Sequence, residues 1–169
     1  MSVTDARKYC EGQGGQLASI HSPLEQQQAW DACKAVVKDP SGPASCWIGL
    51  NDNTREGRWT WLDGSATDFH NWSPGQPDNH VLDDSDNLEG SDQTIDDEDV
   101  VELRSGDGWW NDNVEGGNNY GKAITGWYPL CQSTAVQSVH KGTAFEYKTD
   151  AAPIYEINCP GPLGAVKRP

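Results

Sequence analysis

The sequence predicts one α+β domain in which two helices come first and short strands with one long irregular loop follow. Helix start and stop signals fall before residue 40, and from Cys46 onward β-forming residues follow a period of two. Residues 65–99 show neither pattern and are too many for an ordinary connection. A chain of 169 residues has room for one domain with a core, expected over residues 1–132, and for a C-terminal extension over residues 133–169.

Composition restricts the class of protein further. Eight Trp accompany only two Phe and one Met, and the 18 Gly and 10 Pro indicate that much of the chain is loop. Such a domain commonly needs covalent or metal cross-links, which the five Cys would partly supply in an oxidising compartment. Because the Cys form no CxxC pair and the four His are scattered, a zinc site has little support.

Charge and hydropathy argue against two classes of partner. The formal net charge of −14 disfavours nucleic acid and anionic membrane surfaces. No apolar run approaches the roughly 20 residues that cross a bilayer, and the first residues do not resemble a signal peptide. We therefore expect a mature or trimmed piece of a secreted or extracellular protein.

The two predicted helices have distinct start signals. The first is expected over Thr4–Glu11, with Thr4 as its cap and several glycines ending it. The second starts with the capping box Ser22-Pro23-Leu24-Glu25 and is expected to end near Lys38. Its apolar stripe is predicted from Leu24, Ala29 or Gln28, and Cys33 or Ala32, widened by Trp30 and Val37.

Extended segments make up the rest of the predicted fold. Alternation and β-forming residues predict them at 16–20, 47–50, 58–62, 100–103, 108–112 and 127–131. Cys33 and Cys46 flank a turn rich in Pro and Gly after the second helix. They form either a local disulfide or a pair of buried thiols.

Oxygen-bearing side chains recur where the long loop meets these strands: Gln76, Asp78 and Asn79, then Glu98 and Asp99, then Asn111 and Asp112. This set suits Ca²⁺, which takes six to eight oxygen ligands, because converging carboxylates repel one another without a cation. The alternative is a solvated charged loop, which we favour for the acidic run Asp83–Asp97 taken alone. That alternative is weaker for Asn111 and Asp112, which sit beside apolar and Gly residues.

The order of these motifs resembles the C-type lectin-like family. The matching segments, spread over Val3–Gln132, are Asp5–Cys10, Gly14–Ser22 with Glu25, Trp47-Ile48-Gly49-Leu50, Gln76-Pro77-Asp78, Glu98-Asp99 and Trp110-Asn111-Asp112. The resemblance implies the C-type lectin-like fold, with two helices, small antiparallel sheets and a long Ca²⁺-binding loop. Each motif is weak alone, but their order is specific.

The resemblance also implies two sets of Ca²⁺ ligands. The sugar-binding ion would take side-chain oxygens of Gln76, Asp78, Glu98, Asn111 and Asp112 and the backbone carbonyl of Asp112, with a cis bond before Pro77. A second ion would take Asp52, Glu56, Asn79, Glu98 and Asp99. Because Asn79 is neutral where an acid is commoner, this second site is expected to be weaker.

The Gln-Pro-Asp order resembles family members that prefer galactose or N-acetylgalactosamine. Exchanging amide and acid changes which side of the ion presents hydrogen-bond donors, and so which hydroxyl geometry is favoured. An aromatic ring that stacks on the sugar is expected from Trp109, His80 or a residue of the acidic segment. Alternatively, Trp109 belongs to the core.

The sequence departs from the family pattern in three places. Val100 stands where the family has Cys, and no Cys lies between Asp112 and Cys131, so the inner disulfide is missing. The resemblance implies a Cys10–Cys131 disulfide, which leaves Cys159 free or bonded to another chain. Because no strand precedes the first helix, Thr143–Lys148 is expected to fold back as an edge strand.

These features predict a non-enzymatic, Ca²⁺-dependent carbohydrate-binding domain. The alternative is a protein-interaction or matrix-assembly domain that keeps the fold but reads no sugar, with ice or mineral binding third. No spacing of nucleophile, base and orienting group is visible, so an enzyme is not expected.

Overall fold

The computed structural model describes residues 1–37, 44–80, 97–115, 126–133 and 155–156. Two helices lie in its N-terminal part, α1 at Val3–Gly12 and α2 at Pro23–Val36. The strands are β1 Gly15–Leu17, β2 Ser45–Asn51, β3 Thr60–Trp61, β4 Val100–Arg104, β5 Trp110–Asn113, β6 Trp127–Pro129, β7 Cys131–Ser133 and β8 Tyr155–Glu156. The predicted α+β class is confirmed. No helix in the described ranges has the length and apolar character needed to cross a membrane.

The strands form two sheets. One has the order β1-β7-β8, and the other has the order β3-β2-β4-β5 with β6 paired in parallel to β2. In the larger sheet Val101 of β4 lies opposite Asp112 of β5. The residue after β2, Asp52, donates its N–H to the Asp99 carbonyl at 3.2 Å. The beginning of β4, the end of β2 and the strand β5 therefore meet at one edge, where the predicted ligands lie.

Capping explains where the helices begin. The hydroxyl of Ser2 accepts a hydrogen bond from the Asp5 N–H at 3.1 Å, so Ser2 and not Thr4 caps α1. Thr4 lies inside the first turn and donates its hydroxyl to the Glu115 carboxylate. Ser22 caps α2 as predicted. The helix ends at Val36, two residues before the predicted end.

The face that α2 buries differs from the predicted stripe. Ala29 and Cys33 are buried as expected, but Leu24 is 64% exposed and its place is taken by Gln26. Gln26 can be buried because both ends of its amide are paired. Its Nε2 donates to the Gly108 carbonyl at 2.7 Å, and its Oε1 accepts from Trp110 Nε1 at 2.8 Å.

The segment predicted as one strand over Trp127–Cys131 is two strands in different sheets. β6 pairs with β2, whereas β7 pairs with β1 and β8. Leu130 lies between them with its side chain fully buried, donating to the Trp47 carbonyl and accepting from the Ala18 N–H. The chain therefore passes from one sheet to the other at Leu130, whose side chain lies in the core and whose backbone bonds to residues on both sides.

Two disulfides hold this framework. Cys33–Cys46 links the end of α2 to β2, so this pair forms the local disulfide and not two buried thiols. Cys10–Cys131 links α1 to β7, as the resemblance implied. β8 pairs with β7, so a segment beyond residue 133 does extend this sheet. The strand predicted at Thr143–Lys148 and the thiol of Cys159 lie outside the described residues.

Candidate metal centre

An aromatic cluster fixes the first part of the long loop. The buried ring of Trp110 packs edge-on against Trp61, Phe69 and Trp72, with ring centroids 5.7, 5.9 and 5.9 Å apart. Backbone hydrogen bonds from Ser73 N–H to the Trp110 carbonyl and from Trp110 N–H to the Asn71 carbonyl, both 2.9 Å, tie the loop beside β5. The residues that follow Ser73 are thereby held next to the end of that strand.

The Gln76–Pro77 peptide bond is cis, as the family resemblance implied. Beyond it the loop turns toward β5 and the start of β4. The Asn79 N–H donates to Asp112 Oδ2 at 2.8 Å, and the His80 N–H donates to Glu98 Oε2 at 2.9 Å. The structure therefore brings the Gln-Pro-Asp segment to the carboxylates that the sequence placed with it.

Three of the predicted ligands form a cluster that we call the primary cluster: Asp78, Glu98 and Asp112. Carboxylate oxygens from all three lie within 4.8 Å of one another. Asp112 is fully buried and Glu98 is 5% exposed, whereas Asp78 faces solvent. The cluster is thus buried at Asp112 and Glu98 and open to solvent at Asp78.

The two predicted amide ligands lie beside this cluster. Gln76 accepts the Asp78 N–H through its Oε1 at 3.0 Å. Asn111 donates from its Nδ2 to the Asp112 carbonyl at 2.6 Å. The side-chain oxygen of Asn111 is the atom that could turn to an ion.

Three other predicted ligands form the second cluster: Asp52, Glu56 and Asp99. Their carboxylate oxygens also lie within 4.8 Å of one another. Asp52, only 1% exposed, accepts the Gly57 N–H through Oδ2 at 2.8 Å. Asn79, predicted for this site, accepts the Glu98 N–H through its Oδ1 at 3.3 Å and donates its own N–H to Asp112, so both of these contacts are to residues of the primary cluster.

Both clusters contain a buried oxygen that the protein leaves without a partner. Neither Asp112 Oδ1 nor Asp52 Oδ1 finds a hydrogen bond among the described residues. An unpaired buried carboxylate oxygen costs free energy, and most such atoms in folded proteins are paired. A hard cation would satisfy them, so the donor sets fit Ca²⁺.

The electrostatics agree with this interpretation. Burial, together with the nearby Asp112 and Asp78 charges, raises the pKa of Glu98 to about 7. Burial also raises the pKa of Asp112, with the charge of Asp78 adding to the effect. Burial and the Asp99 charge raise the pKa of Asp52. Each acid resists ionisation first because it is buried and then because like charges lie close to it, and a divalent cation would offset both effects.

Two residues differ from their sequence interpretation. Trp109 is 40% exposed, so the alternative that placed it in the core is wrong, and Trp110 is the core residue. Asp97, which we grouped with the solvated acidic run, is half-buried, and its Oδ1 is enclosed. The position of Asp97 directly before Glu98 and Asp99 was the sequence signal that could have indicated its burial. Residues 83–96 of that run lie outside the described part.

The fold and the two carboxylate clusters define a class of protein, and comparison with known protein families identifies that class. A family model described as the lectin C-type domain matches residues 1–121, so the chain belongs to this family.

Relatives and solved structures of this family are similar to the chain. It is 40% identical over 82 residues to the galactose-specific lectin nattectin of Thalassophryne nattereri, covering 48% of this chain and 49% of nattectin. It is 38% identical over 116 residues to human C-type lectin domain family 10 member A, covering 68% of this chain and 30% of that protein. The chain thus spans about half of these relatives or less. The C-type lectin CEL-I from Cucumaria echinata superposes with a TM-score of 0.54 at 27% identity, covering 69% of this chain and 77% of CEL-I.

Proposed function

We propose that this domain binds Ca²⁺ at the primary cluster and binds a carbohydrate through that ion. The observation that carries the proposal is Asp112, a fully buried acid that clusters with Asp78 and Glu98 and whose Oδ1 finds no hydrogen bond among the described residues. These acids with Gln76 and Asn111 do not complete a shell of about eight oxygens. Vicinal sugar hydroxyls would fill the remaining positions on the open side at Asp78.

We further propose that the sugar is of the galactose or N-acetylgalactosamine type. The support is the Gln76-Pro77-Asp78 order, together with the similarity to a galactose-specific lectin. Trp109 offers an indole that is 40% exposed near the start of β5, where a ring is available to stack on the apolar face of a sugar.

We also propose a second Ca²⁺ at the second cluster, where it would stabilise the loop without contacting sugar. The support is the unpaired Oδ1 of Asp52 and the proximity of Glu56 and Asp99. The domain is proposed to act outside the cell, because both described disulfides require an oxidising compartment.

The test of sugar binding is retention on immobilised galactose with Ca²⁺ and after chelation. We expect Ca²⁺-dependent retention that Asp112→Ala abolishes. The matched control is Asp31→Ala, which removes an exposed acid of α2 that lies outside both clusters and should leave retention unchanged. Equal retention in chelator would contradict the proposal. Ca²⁺ binding without retention of any glycan would favour the protein-interaction alternative.

Sugar preference has its own test. The double substitution Gln76→Glu with Asp78→Asn exchanges acid and amide across the cis bond while keeping the net charge. We expect retention to shift from galactose toward mannose, because the donors and acceptors around the ion change sides. If preference for galactose persists in the double variant, the Gln-Pro-Asp order does not determine it.

A further inference from the structure

Arg104, the last residue of β4, reaches the long loop at Ser73. Its Nη2 donates to the Ser73 hydroxyl at 3.0 Å, in a contact that is partly shielded from solvent. The same guanidinium also donates to both carboxylate oxygens of Asp107, from Nε at 3.1 Å and from Nη2 at 2.7 Å. Because a guanidinium is planar and its donors are fixed, the pairing with Asp107 sets the direction from which Arg104 meets the loop.

Ser73 begins a tight turn that ends at Gln76. The Gln76 N–H donates to the Ser73 carbonyl at 2.9 Å, and Pro74 and Gly75 lie between them, Gly75 with a φ of 92°. Pro in the second position and Gly with a positive φ in the third are the pattern of a type II turn. Gln76, the first residue of the Gln-Pro-Asp segment, is therefore placed by a turn whose other end is Ser73.

Two different strands hold Ser73. Its N–H donates to the Trp110 carbonyl at 2.9 Å, which attaches the backbone of the loop to β5. Its hydroxyl accepts from Arg104, which attaches the side chain to the end of β4. The second attachment restricts how the turn that follows can tilt, and a tilt of that turn would move Gln76.

We propose that Arg104 is a positioning residue for the primary cluster. Through Ser73 it fixes the turn that presents Gln76, whose Oε1 accepts the Asp78 N–H at 3.0 Å. The consequence for sugar affinity rests on the proposed function, because Gln76 is one of the ligands proposed for the sugar-binding ion. A residue outside the ligand set thereby sets the geometry of the site.

Hydrogen exchange of the Gln76 amide, followed by NMR in chelator, tests the contact without any ligand. Arg104→Lys keeps the charge but replaces the planar guanidinium with a single ammonium, and Ser73→Ala removes the acceptor. We expect each substitution to speed exchange about tenfold, because a hydrogen bond to a charged group is worth roughly that factor in an equilibrium. The double variant should exchange no faster than the faster single variant, since both substitutions break the same contact. Additive effects would overturn the proposal, because Arg104 and Ser73 would then act separately.

Two controls separate the turn from general stability. Arg7→Lys makes the same substitution in an exposed ion pair of α1 and should leave the Gln76 rate unchanged. The Gly64 N–H, which donates to the Trp61 carbonyl at 3.0 Å in the turn after β3, should keep its rate in every variant. If Gly64 also exchanges faster in Arg104→Lys and Ser73→Ala, these substitutions destabilise the whole domain and the proposal is overturned.

Galactose affinity, measured by frontal affinity chromatography in saturating Ca²⁺, tests the consequence for binding. We expect Arg104→Lys and Ser73→Ala each to weaken it about tenfold, the lower end of the cost of removing groups that orient metal ligands. Unchanged exchange at Gln76 in both variants would overturn the proposal, and so would faster exchange with unchanged galactose affinity. If the unsubstituted chain does not bind galactose, the proposed function fails, and exchange at Gln76 alone decides whether Arg104 fixes the turn.

Discussion

Glu98→Gln should make the cation-free protein more stable at alkaline pH while weakening its response to Ca²⁺. The pKa of Glu98 rises from 4.5 to about 7 because its carboxyl is buried and faces Asp112 and Asp78. A raised carboxyl pKa contributes stability that is fully present below the unfolded value and is lost as the pH rises through about 7. At about 1.4 kcal/mol per pH unit, ionised Glu98 costs the folded state about 3 kcal/mol at pH 8.

Gln keeps the shape and remains neutral at every pH. Its side-chain oxygen can still accept the His80 N–H that Glu98 accepts at 2.9 Å. The free energy of unfolding of the variant should therefore exceed that of the unsubstituted chain by up to about 3 kcal/mol near pH 8 and equal it near pH 4. With Ca²⁺ the order should reverse, because the ion needs the carboxylate.

Urea denaturation measures this difference in stability. It is carried out in chelator and in saturating Ca²⁺, at pH values below and above the pKa of Glu98. Glu11→Gln is the control, since Glu11 is exposed in an ion pair with Arg7 on α1 and should change stability by less than about 0.5 kcal/mol. A difference between Glu98→Gln and the unsubstituted chain that does not vary with pH, or a variant that is weaker in chelator at pH 8, would refute the reasoning.

Three other substitutions test separate parts of the molecule. Cys33→Ala with Cys46→Ala removes a disulfide between residues 13 apart and should lower the free energy of unfolding by about 3 kcal/mol in urea titrations; no loss would mean that packing alone holds this loop. Gln26→Ala leaves the buried Trp110 indole N–H unpaired and removes one of the two hydrogen bonds to the Gly108 carbonyl, which still accepts from Asn71, so it should cost about 2 kcal/mol in the same assay, whereas the exposed Gln27→Ala should cost little. Trp109→Ala should reduce galactose retention with unchanged Ca²⁺ stoichiometry by calorimetry; full retention would assign the stacking ring elsewhere.

Local signals located most of the fold. Ser22, Pro23 and Glu25 form a start signal within four consecutive residues, and α2 begins there. The β-forming run around Trp47 lies inside β2, and the run from Val100 lies inside β4. These predictions succeeded because the interactions that decide them span a few residues.

Two of the predictions that failed depended on distant neighbours. Leu24 fits an apolar stripe by spacing, yet the space against the sheet is filled by Gln26, whose amide pairs with Trp110 and Gly108. Pro129 is a local sign of an interruption before Leu130, but the change of sheet there depends on Trp47 and Ala18, which are far away in the sequence.

The same division holds for the candidate site. The sequence by itself determined the chemistry: acids and amides in a fixed order beside strands, and a Gln-Pro-Asp segment typical of Ca²⁺-dependent sugar binding. The family resemblance assigned the acids to two sites, but only the tertiary structure showed how Asp78 and Asp112, which are distant in sequence, come together: Trp110 anchors the loop beside β5. The tertiary structure also showed that Asp97, which the sequence grouped with the solvated acidic run, is half-buried with its Oδ1 enclosed. Charge is a property of residue type, but repulsion depends on distance through space, and the fold alone sets that distance.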